Sequence, residues 1–249
     1  MSVRLRAVRI RAYVDGLNLY YGGRSLARGA QGWKWLDLRS LLSSVVARRW
    51  PGAALDRVVY CTTRIDAAAS PSSKRSQDVY LLALRAHGAV DWIEYGKFYA
   101  KTKTRPLATR GSPPRFRPQV TIASAPIQVR DAADSDVPGA YFMATVADRE
   151  EKGSDVNVAS HLLIDALSGT MDGAVVVSND SDLAFPVVEV RKRLVVGILN
   201  PHGGHTAGSL SRIPSGAVPG QWCERLTFAD LTRHQLPDPC GRYSKPAGW

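Results

Sequence analysis

Short apolar segments alternate with longer amphipathic segments along most of the chain. Runs of apolar and β-branched residues predict strands at 8–14, 55–63, 90–99, 141–147, 174–177 and 194–199. Apolar residues at helical spacing predict helices at 17–27, 35–49, 74–87, 155–167, 182–193 and 228–235. Strands and helices that alternate in this way form parallel sheets covered by helices on both faces. The pattern therefore predicts an α/β fold with a parallel central sheet.

The pattern is interrupted after the third predicted strand. Residues 97–140 are rich in Pro, Ser, Thr and Arg and have weak periodicity, which is typical of an inserted loop or hairpin. We predict one domain over residues 1–236 that carries this insertion at 97–140, followed by a C-terminal tail at 237–249. Within the insertion, residues 97–130 contain no acidic residue and eight basic residues, which are Lys97, Lys101, Lys103, Arg105, Arg110, Arg115, Arg117 and Arg130.

The composition limits the class of protein. The chain has 33 basic and 22 acidic residues, a net charge of +11, so it should attract polyanions such as nucleic acid. It lacks an apolar segment of about 20 residues, and its basic N-terminus lacks the apolar stretch of a secretory signal. The three cysteines, Cys61, Cys223 and Cys240, include no CxxC pair and fit a reducing compartment. These features predict a cytoplasmic protein without a membrane partner.

Acidic residues lie where predicted strands end. Asp15 ends the first strand, Asp155 opens a helix, and Asp180 and Asp182 follow a wholly apolar strand. Ligands of parallel sheets bind beyond the carboxyl ends of the strands. Carboxylates gathered there repel one another and need a cation or raised pKa values, and oxygen ligands suit Mg²⁺ or Mn²⁺. The alternative is structural, with a turn at Asp15 and helix caps at the other three aspartates.

Two further features are weaker candidates. His202 and His205 have an H-x-x-H spacing, but a zinc site would need further ligands on a rigid element. Asp165 lies ten residues beyond Asp155, so at about 100° per residue it points to a different face of the helix. The predicted site therefore leaves these residues out.

Three short motifs contain the acids and their neighbours. They are Asp15-Gly16-Leu17-Asn18 after a strand, Glu151-Lys152-Gly153-Ser154-Asp155 before a helix, and Ser178-Asn179-Asp180-Ser181-Asp182 after a strand. In this order they resemble the NYN domain family of the PIN-like nucleases, over about residues 8–200. The resemblance implies a PIN-like three-layer α/β/α sandwich with a parallel sheet of about five strands. It also implies metal-dependent ribonuclease activity.

The resemblance further implies roles for individual residues. Asp15, Asp155 and Asp180 match the acids that hold the metal, and Asp182 matches the second acid of the last motif. Asn18 matches a polar residue that orients water or phosphate at the metal. The implied catalytic set therefore consists of these five residues, with Mg²⁺ or Mn²⁺ as the cofactor.

The resulting hypothesis is a ribonuclease that hydrolyses RNA phosphodiester bonds with metal-activated water. A non-catalytic RNA-binding module of the same fold and a phosphatase or nucleotide hydrolase remain as alternatives. Four acids facing a polyanion argue against the first, and the long basic segment argues against the second. The RNA target, endo- or exonuclease action, metal number and homo-oligomer formation stay open. The residues expected to hold the phosphates of single-stranded or structured RNA are Lys97, Lys101, Lys103, Arg105, Arg115 and Arg117.

Overall fold

A computed structural model describes residues 8–68, 70–109, 118–122 and 129–249. Each predicted strand and helix has a counterpart in it. The strands are β1 (Arg9–Asp15), β2 (Ala54–Thr63), β3 (Trp92–Pro106), β4 (Ala108–Thr109), β5 (Gln119–Val120), β6 (Met143–Lys152), β7 (Gly173–Val177), β8 (Val195–Asn200) and β9 (Trp222–Arg225). The helices are α1 (Gly16–Ala27), α2 (Leu38–Arg49), α3 (Pro71–His87), α4 (Ser154–Leu167), α5 (Ala184–Arg191), α6 (Gly208–Ser211) and α7 (Phe228–Arg233), with a 3₁₀ helix at Ser181–Leu183.

The described residues form two compact units. The first comprises the chain up to Phe98 together with Glu151–Trp249, and the second comprises Tyr99–Glu150. A seven-stranded sheet has the strand order β6-β3-β2-β1-β7-β8-β9, and its five pairs from β3 to β9 are parallel. The prediction of an α/β fold with a parallel central sheet is therefore confirmed.

The sheet has seven strands, whereas about five were expected. The strand that sequence analysis missed is β9, in a region rich in Gly and Pro. Its four residues alternate only between half-buried and exposed positions, so its hydrophobic signal is weak. Long-range packing fixes it instead, because a Cβ atom at Gly197 of β8 would lie 1.9 Å from the indole of Trp222. The glycine leaves room for that ring, and local periodicity does not reveal such a contact.

Helices cover both faces of the sheet in the first unit. Ile10, Ala12 and Val14 of β1 face a core shared with α1, α2 and α3, whereas Tyr13 faces a core shared with α4 and α5. The alternation of side chains along a strand produces this division. The arrangement agrees with a three-layer α/β/α fold. No helix in the described ranges is long and apolar enough to cross a membrane.

The segment predicted as a C-terminal tail packs against the first unit. Trp35 Nε1 donates a hydrogen bond to the Pro237 carbonyl oxygen at 3.0 Å. The ring centroids of Trp249 and Tyr80 lie 5.6 Å apart, and Cys240 is buried. Residues 237–249 thus bury apolar surface although their sequence has no helical or strand periodicity.

Part of the predicted insertion is extended. β3 continues to Pro106 and β6 begins at Met143, and both strands pass from one unit into the other. Their outer segments are exposed, so apolar alternation is weak. Ion pairs join Lys101 and Lys103 of β3 to acids of β6, and cross-strand pairs of opposite charge stabilise neighbouring strands. The beginning of the predicted insertion therefore continues β3 as an extended strand.

Candidate metal centre

Three aspartates from separate parts of the chain meet at the carboxyl edge of the sheet. Asp15 is the last residue of β1, Asp155 lies in the first turn of α4, and Asp180 follows β7. Because β1 and β7 are parallel neighbours, their carboxyl ends lie at the same edge. One carboxylate oxygen of each aspartate lies within 4.8 Å of the other two. The predicted convergence is confirmed, and the metal-binding role stays a prediction.

Hydrogen bonds hold the carboxylate of Asp15 in place. Asp15 is 2% exposed. Its Oδ1 accepts from the Asn18 backbone N–H at 3.0 Å, and its Oδ2 accepts from the Ser178 hydroxyl at 2.9 Å. Asp15 therefore caps α1 and also belongs to the group of three aspartates. The structural and functional interpretations of this residue are compatible.

Asp180 is held in a similar way, whereas Asp155 is not. Asp180 Oδ1 accepts from the Asp182 backbone N–H at 3.0 Å and so caps the 3₁₀ helix. The residue that caps α4 is Gly153, without a side-chain hydrogen bond. Within the described part of the chain, no donor contacts the Asp155 carboxylate. The interpretation of Asp155 as a helix cap is therefore wrong.

Glu151 is a fourth acid near the centre, and sequence analysis gave it no role. Its Oε1 accepts from the Thr63 hydroxyl at 2.7 Å and from the Ser154 backbone N–H at 3.2 Å. Gly96 makes room for this carboxylate, because a Cβ atom there would lie 2.2 Å from Oε1. The charge of Glu151 contributes to the raised pKa of Asp155. The sequence feature that could have indicated a role for Glu151 was its position four residues before Asp155 in the same motif.

Two acids of the centre, Asp15 and Asp155, have raised pKa values. Burial raises the pKa of Asp15, and the charges of Asp180 and Glu151 add to this effect. Burial is also the largest cause at Asp155, where the charges of Asp15 and Asp180 help to raise the pKa to about 7. A divalent cation would offset this repulsion. The donors are all carboxylate oxygens, so the residues fit Mg²⁺ or Mn²⁺.

We expect Asp155 to lower the stability of the metal-free protein as the pH rises. Its pKa is about 7 in the folded state, against 3.8 for the ordinary side chain, so the unfolded chain loses this proton first. Stability should therefore fall between about pH 4 and pH 7. Thermal unfolding without divalent cations should show a smaller fall for Asp155→Asn, and Mg²⁺ should raise the Tm of the wild type more than that of the variant. Identical pH profiles for the two proteins would contradict this expectation.

The other two residues of the predicted site have different surroundings. Asp182 is exposed and lies outside the group of three, although its charge contributes to the raised pKa of Asp155. Asn18 Oδ1 accepts from the Asn179 backbone N–H at 2.9 Å and lies 3.2 Å from His202 Nε2. The backbone donor fixes which end of the Asn18 amide is the oxygen. Asn18 Nδ2 is then a hydrogen-bond donor that no described acceptor contacts.

His202 supports Asn18, a role that sequence analysis missed. Burial lowers the pKa of His202. Because Asn18 Oδ1 can only accept a hydrogen bond, His202 Nε2 donates to it. Its backbone N–H donates to Asn200 Oδ1 at 2.8 Å, which fixes the turn after β8. Among the described residues, His202 and His205 belong to no group with metal-binding geometry. The position of His202 just beyond a parallel strand was a better signal than the H-x-x-H spacing.

The basic residues of the insertion are only partly described. Lys101 and Lys103 form ion pairs with Glu150 and Asp148, so their charges are partly neutralised. The sequence window hid these partners because they lie more than 40 residues further along the chain. Lys97 and Arg105 are exposed. Their contact with RNA stays a prediction, as it does for two residues that lie outside the described ranges, Arg115 and Arg117.

We expect the combined substitution of Lys101, Lys103 and Arg105 by Ala to weaken RNA binding modestly for all sequences. Each phosphate contact of a single strand contributes about 0.7 to the slope of log affinity against log salt concentration. Three free contacts would change the slope by about 2, but the two ion pairs reduce the expected change to about 0.7. Fluorescence polarisation over a salt series measures the slope. Cleavage at saturating RNA should change little in this variant. An unchanged salt slope would show that other residues make the phosphate contacts.

Comparisons with known proteins define no family for this chain. No family model matches it. It is 28% identical to the 6-hydroxy-3-succinoylpyridine 3-monooxygenase HspA of Pseudomonas putida, over an alignment that covers 92% of this chain and 70% of that protein. A crystal structure of a protein of unknown function from Vibrio parahaemolyticus aligns over 91% of this chain and 96% of that chain, with 15% identity and a TM-score of 0.44. The function therefore has to be inferred from the site.

Proposed function

We propose that this chain is a Mg²⁺- or Mn²⁺-dependent ribonuclease with a PIN-like fold. The observation that carries the proposal is the convergence of Asp15, Asp155 and Asp180 at the carboxyl edge of a parallel sheet. In the described part of the chain, no basic side chain forms an ion pair with any of the three. One buried and two half-buried carboxylates close together without a cationic partner repel one another, so the cluster favours a bound divalent cation.

The residues of the centre would have different roles in hydrolysis. A divalent cation held there would act as a Lewis acid that activates water and offsets the charge of the phosphoryl group. Asp15, Asp155 and Asp180 supply the negative charge that holds the cation. Asn18 Nδ2 is the free donor beside them, and it can bind a phosphate oxygen whose charge increases in the transition state. His202 keeps that donor in place through Asn18 Oδ1.

The charge of the whole chain favours a polymeric substrate. A net charge of +11 attracts a polyanion, whereas the centre itself is acidic and would repel phosphate without a cation. A non-catalytic RNA-binding module of the same fold would gain nothing from an acidic cluster that faces its ligand. RNA cleavage therefore explains both features together, and the basic charge also argues against a hydrolase of small phosphate esters.

A monooxygenase is the second candidate, because the 28% identical relative carries that name. Insertion of one oxygen atom from O₂ consumes two electrons from a reductant and commonly uses flavin or iron. Non-haem iron oxygenases typically bind their metal through two histidines and one carboxylate. The group found among the described residues consists of three aspartates, a donor set that favours hydrolysis.

One assay distinguishes these activities. Purified wild type and Asp155→Asn would be incubated with single-stranded and duplex RNA and DNA, in Mg²⁺, Mn²⁺ or EDTA. The proposal predicts RNA cleavage that requires a divalent cation and Asp155. A parallel reaction would contain 6-hydroxy-3-succinoylpyridine, O₂ and a reduced nicotinamide. Hydroxylation of the pyridine without cleavage of any nucleic acid would overturn the proposal in favour of the second candidate.

A further inference from the structure

The exposed face of α1 begins at the candidate metal centre. The buried residues of this helix are Gly16, Leu19, Gly22, Gly23 and Ala27. The opposite face exposes Tyr20, Tyr21 and Arg24 at helical spacing, and Arg28 is exposed at the C-cap that ends the helix. We call these four side chains the α1 strip. Asn18 lies one turn before Tyr21, and its backbone N–H donates to Asp15. At about 1.5 Å per residue, the strip extends roughly 20 Å away from Asp15.

The chain segment that contains the strip carries only positive charge. Residues 16–36 contain Arg24, Arg28 and Lys34 and no acidic residue. None of the three forms an ion pair with a carboxylate in the ranges that the structure describes. This distinguishes them from Lys101 and Lys103, whose charges are already paired. Arg24 and Arg28 are therefore cations without a carboxylate partner, on the helix that begins at the acidic centre.

Two exposed tyrosine rings lie among these basic residues, and one of them packs against a buried indole. Tyr21 is 56% exposed and Tyr20 is 41% exposed. The Tyr20 ring centroid lies 5.4 Å from that of Tyr21 and 5.7 Å from that of Trp33. Trp33 packs closely under the helix because Gly23 has no Cβ atom, which would lie 2.7 Å from the indole. A buried indole thus supports an exposed tyrosine, while the Tyr21 ring stays open to solvent.

We propose that the α1 strip binds single-stranded RNA and leads it to the metal centre. Unpaired bases stack on Tyr21 and Tyr20, and Arg24 and Arg28 contact the phosphates. Exposed aromatic rings interleaved with unpaired basic residues are the combination that binds single strands with little sequence preference. Duplex RNA keeps its bases stacked inside the helix and cannot use the tyrosines. The proposal rests on the proposed function, because it assigns the substrate class of the same site.

Binding measured without cleavage tests the strip. All variants would be made in an Asp155→Asn background, and fluorescence polarisation would follow a labelled single-stranded RNA of about 12 nucleotides, which lies within known site sizes. Tyr21→Ala should weaken binding about tenfold, whereas Tyr21→Phe should bind like its parent because the ring remains. Arg24→Ala should lower the salt slope by about 0.7. The matched control is Trp92→Ala, an exposed aromatic residue at the amino end of β3 and thus at the opposite edge of the sheet.

The outcomes separate this inference from the proposed function. Unchanged RNA binding by Tyr21→Ala would overturn the proposal that the α1 strip binds single-stranded RNA. Equal losses for Tyr21→Phe and Tyr21→Ala would also overturn it, as would a loss of duplex RNA binding equal to the loss of single-strand binding. Wild-type cleavage measured in parallel would still support the ribonuclease in those cases. Conversely, a tenfold loss with Tyr21→Ala in a protein that cleaves no RNA would support the strip and overturn the catalytic proposal. A similar loss with Trp92→Ala would indicate a general effect of removing aromatic residues and would also overturn the strip.

Discussion

Asp155→Asn should lower the rate of RNA cleavage by more than about 100-fold while RNA binding persists. Even residues that only orient metal ligands contribute about 10- to 100-fold to activity, so loss of a ligand should exceed that range. The substitution keeps the size of the side chain and removes its charge. Because Asp155 caps no helix and accepts no hydrogen bond from a described residue, it should cost the fold little. Single-turnover cleavage in Mg²⁺ measures the effect.

Asp182→Asn is the matched comparison for that variant. Asp182 is also an aspartate at the carboxyl edge, but it is exposed and outside the group of three oxygens. It should therefore reduce cleavage less than Asp155→Asn does. Binding of Mn²⁺ followed by calorimetry should weaken strongly only for Asp155→Asn. Cleavage by Asp155→Asn at the wild-type rate would show that the residue is not a metal ligand.

Asp165→Ala should lower the free energy of unfolding by about 3 kcal/mol or more, the effect of breaking a buried ion pair. Asp165 Oδ1 lies 2.8 Å from Arg11 Nη1, and its Oδ2 accepts from the Tyr13 hydroxyl at 2.7 Å. Asp165 and Arg11 are each 7% exposed. Removal of the carboxylate leaves the buried Tyr13 hydroxyl with only the weak acceptor Met171 Sδ, and it leaves the Arg11 guanidinium with one carboxylate partner, Asp56. Urea denaturation at neutral pH measures the loss.

A surface acid provides the control for this effect. Glu189 of α5 pairs with Lys192 and Arg193 at the surface, where solvent screens the charges. Glu189→Ala should therefore change the free energy of unfolding much less than Asp165→Ala does. Equal losses for Glu189→Ala and Asp165→Ala would contradict the assignment of a buried network beneath α4.

The sequence was sufficient for the elements whose apolar periodicity is strong. The apolar runs of β1, β7 and β8 are buried, and the helical spacing of α2 and α4 places Leu42 in one core and Leu162 in the other. The angle that excluded Asp165 from the site is also confirmed, because Asp165 faces Arg11. These predictions succeeded because a helix or strand that packs on a core buries residues at its own repeat, so the period of apolar residues can be read from the local sequence.

Elements fixed by distant contacts could not be predicted. The strand β9 depends on the space that Gly197 leaves for Trp222, and Trp249 packs against Tyr80 from the far end of the chain. The same limit applies to the site. Convergence of Asp15, Asp155 and Asp180 follows from strand ends, whereas the hydrogen bond from His202 to Asn18 requires the turn after β8. Local sequence patterns indicate periodicity and helix caps. They do not indicate which side chains from other strands become neighbours, because the topology of the sheet determines this.

The orientation of the Asn18 amide has a consequence for inhibitor chemistry. The aspartates present only acceptors for a cation, while Asn18, whose backbone N–H donates to Asp15, carries a side-chain donor at Nδ2. A small molecule that matches both sides needs chelating oxygens for the metal and an adjacent acceptor for the amide. Acidic chelators such as hydroxy acids or phosphonates meet this requirement. An amine offers hydrogen-bond donors, so it would meet the Asn18 donor without supplying the acceptor that this donor needs. Screening libraries for this centre should therefore be chosen for anionic, oxygen-rich fragments.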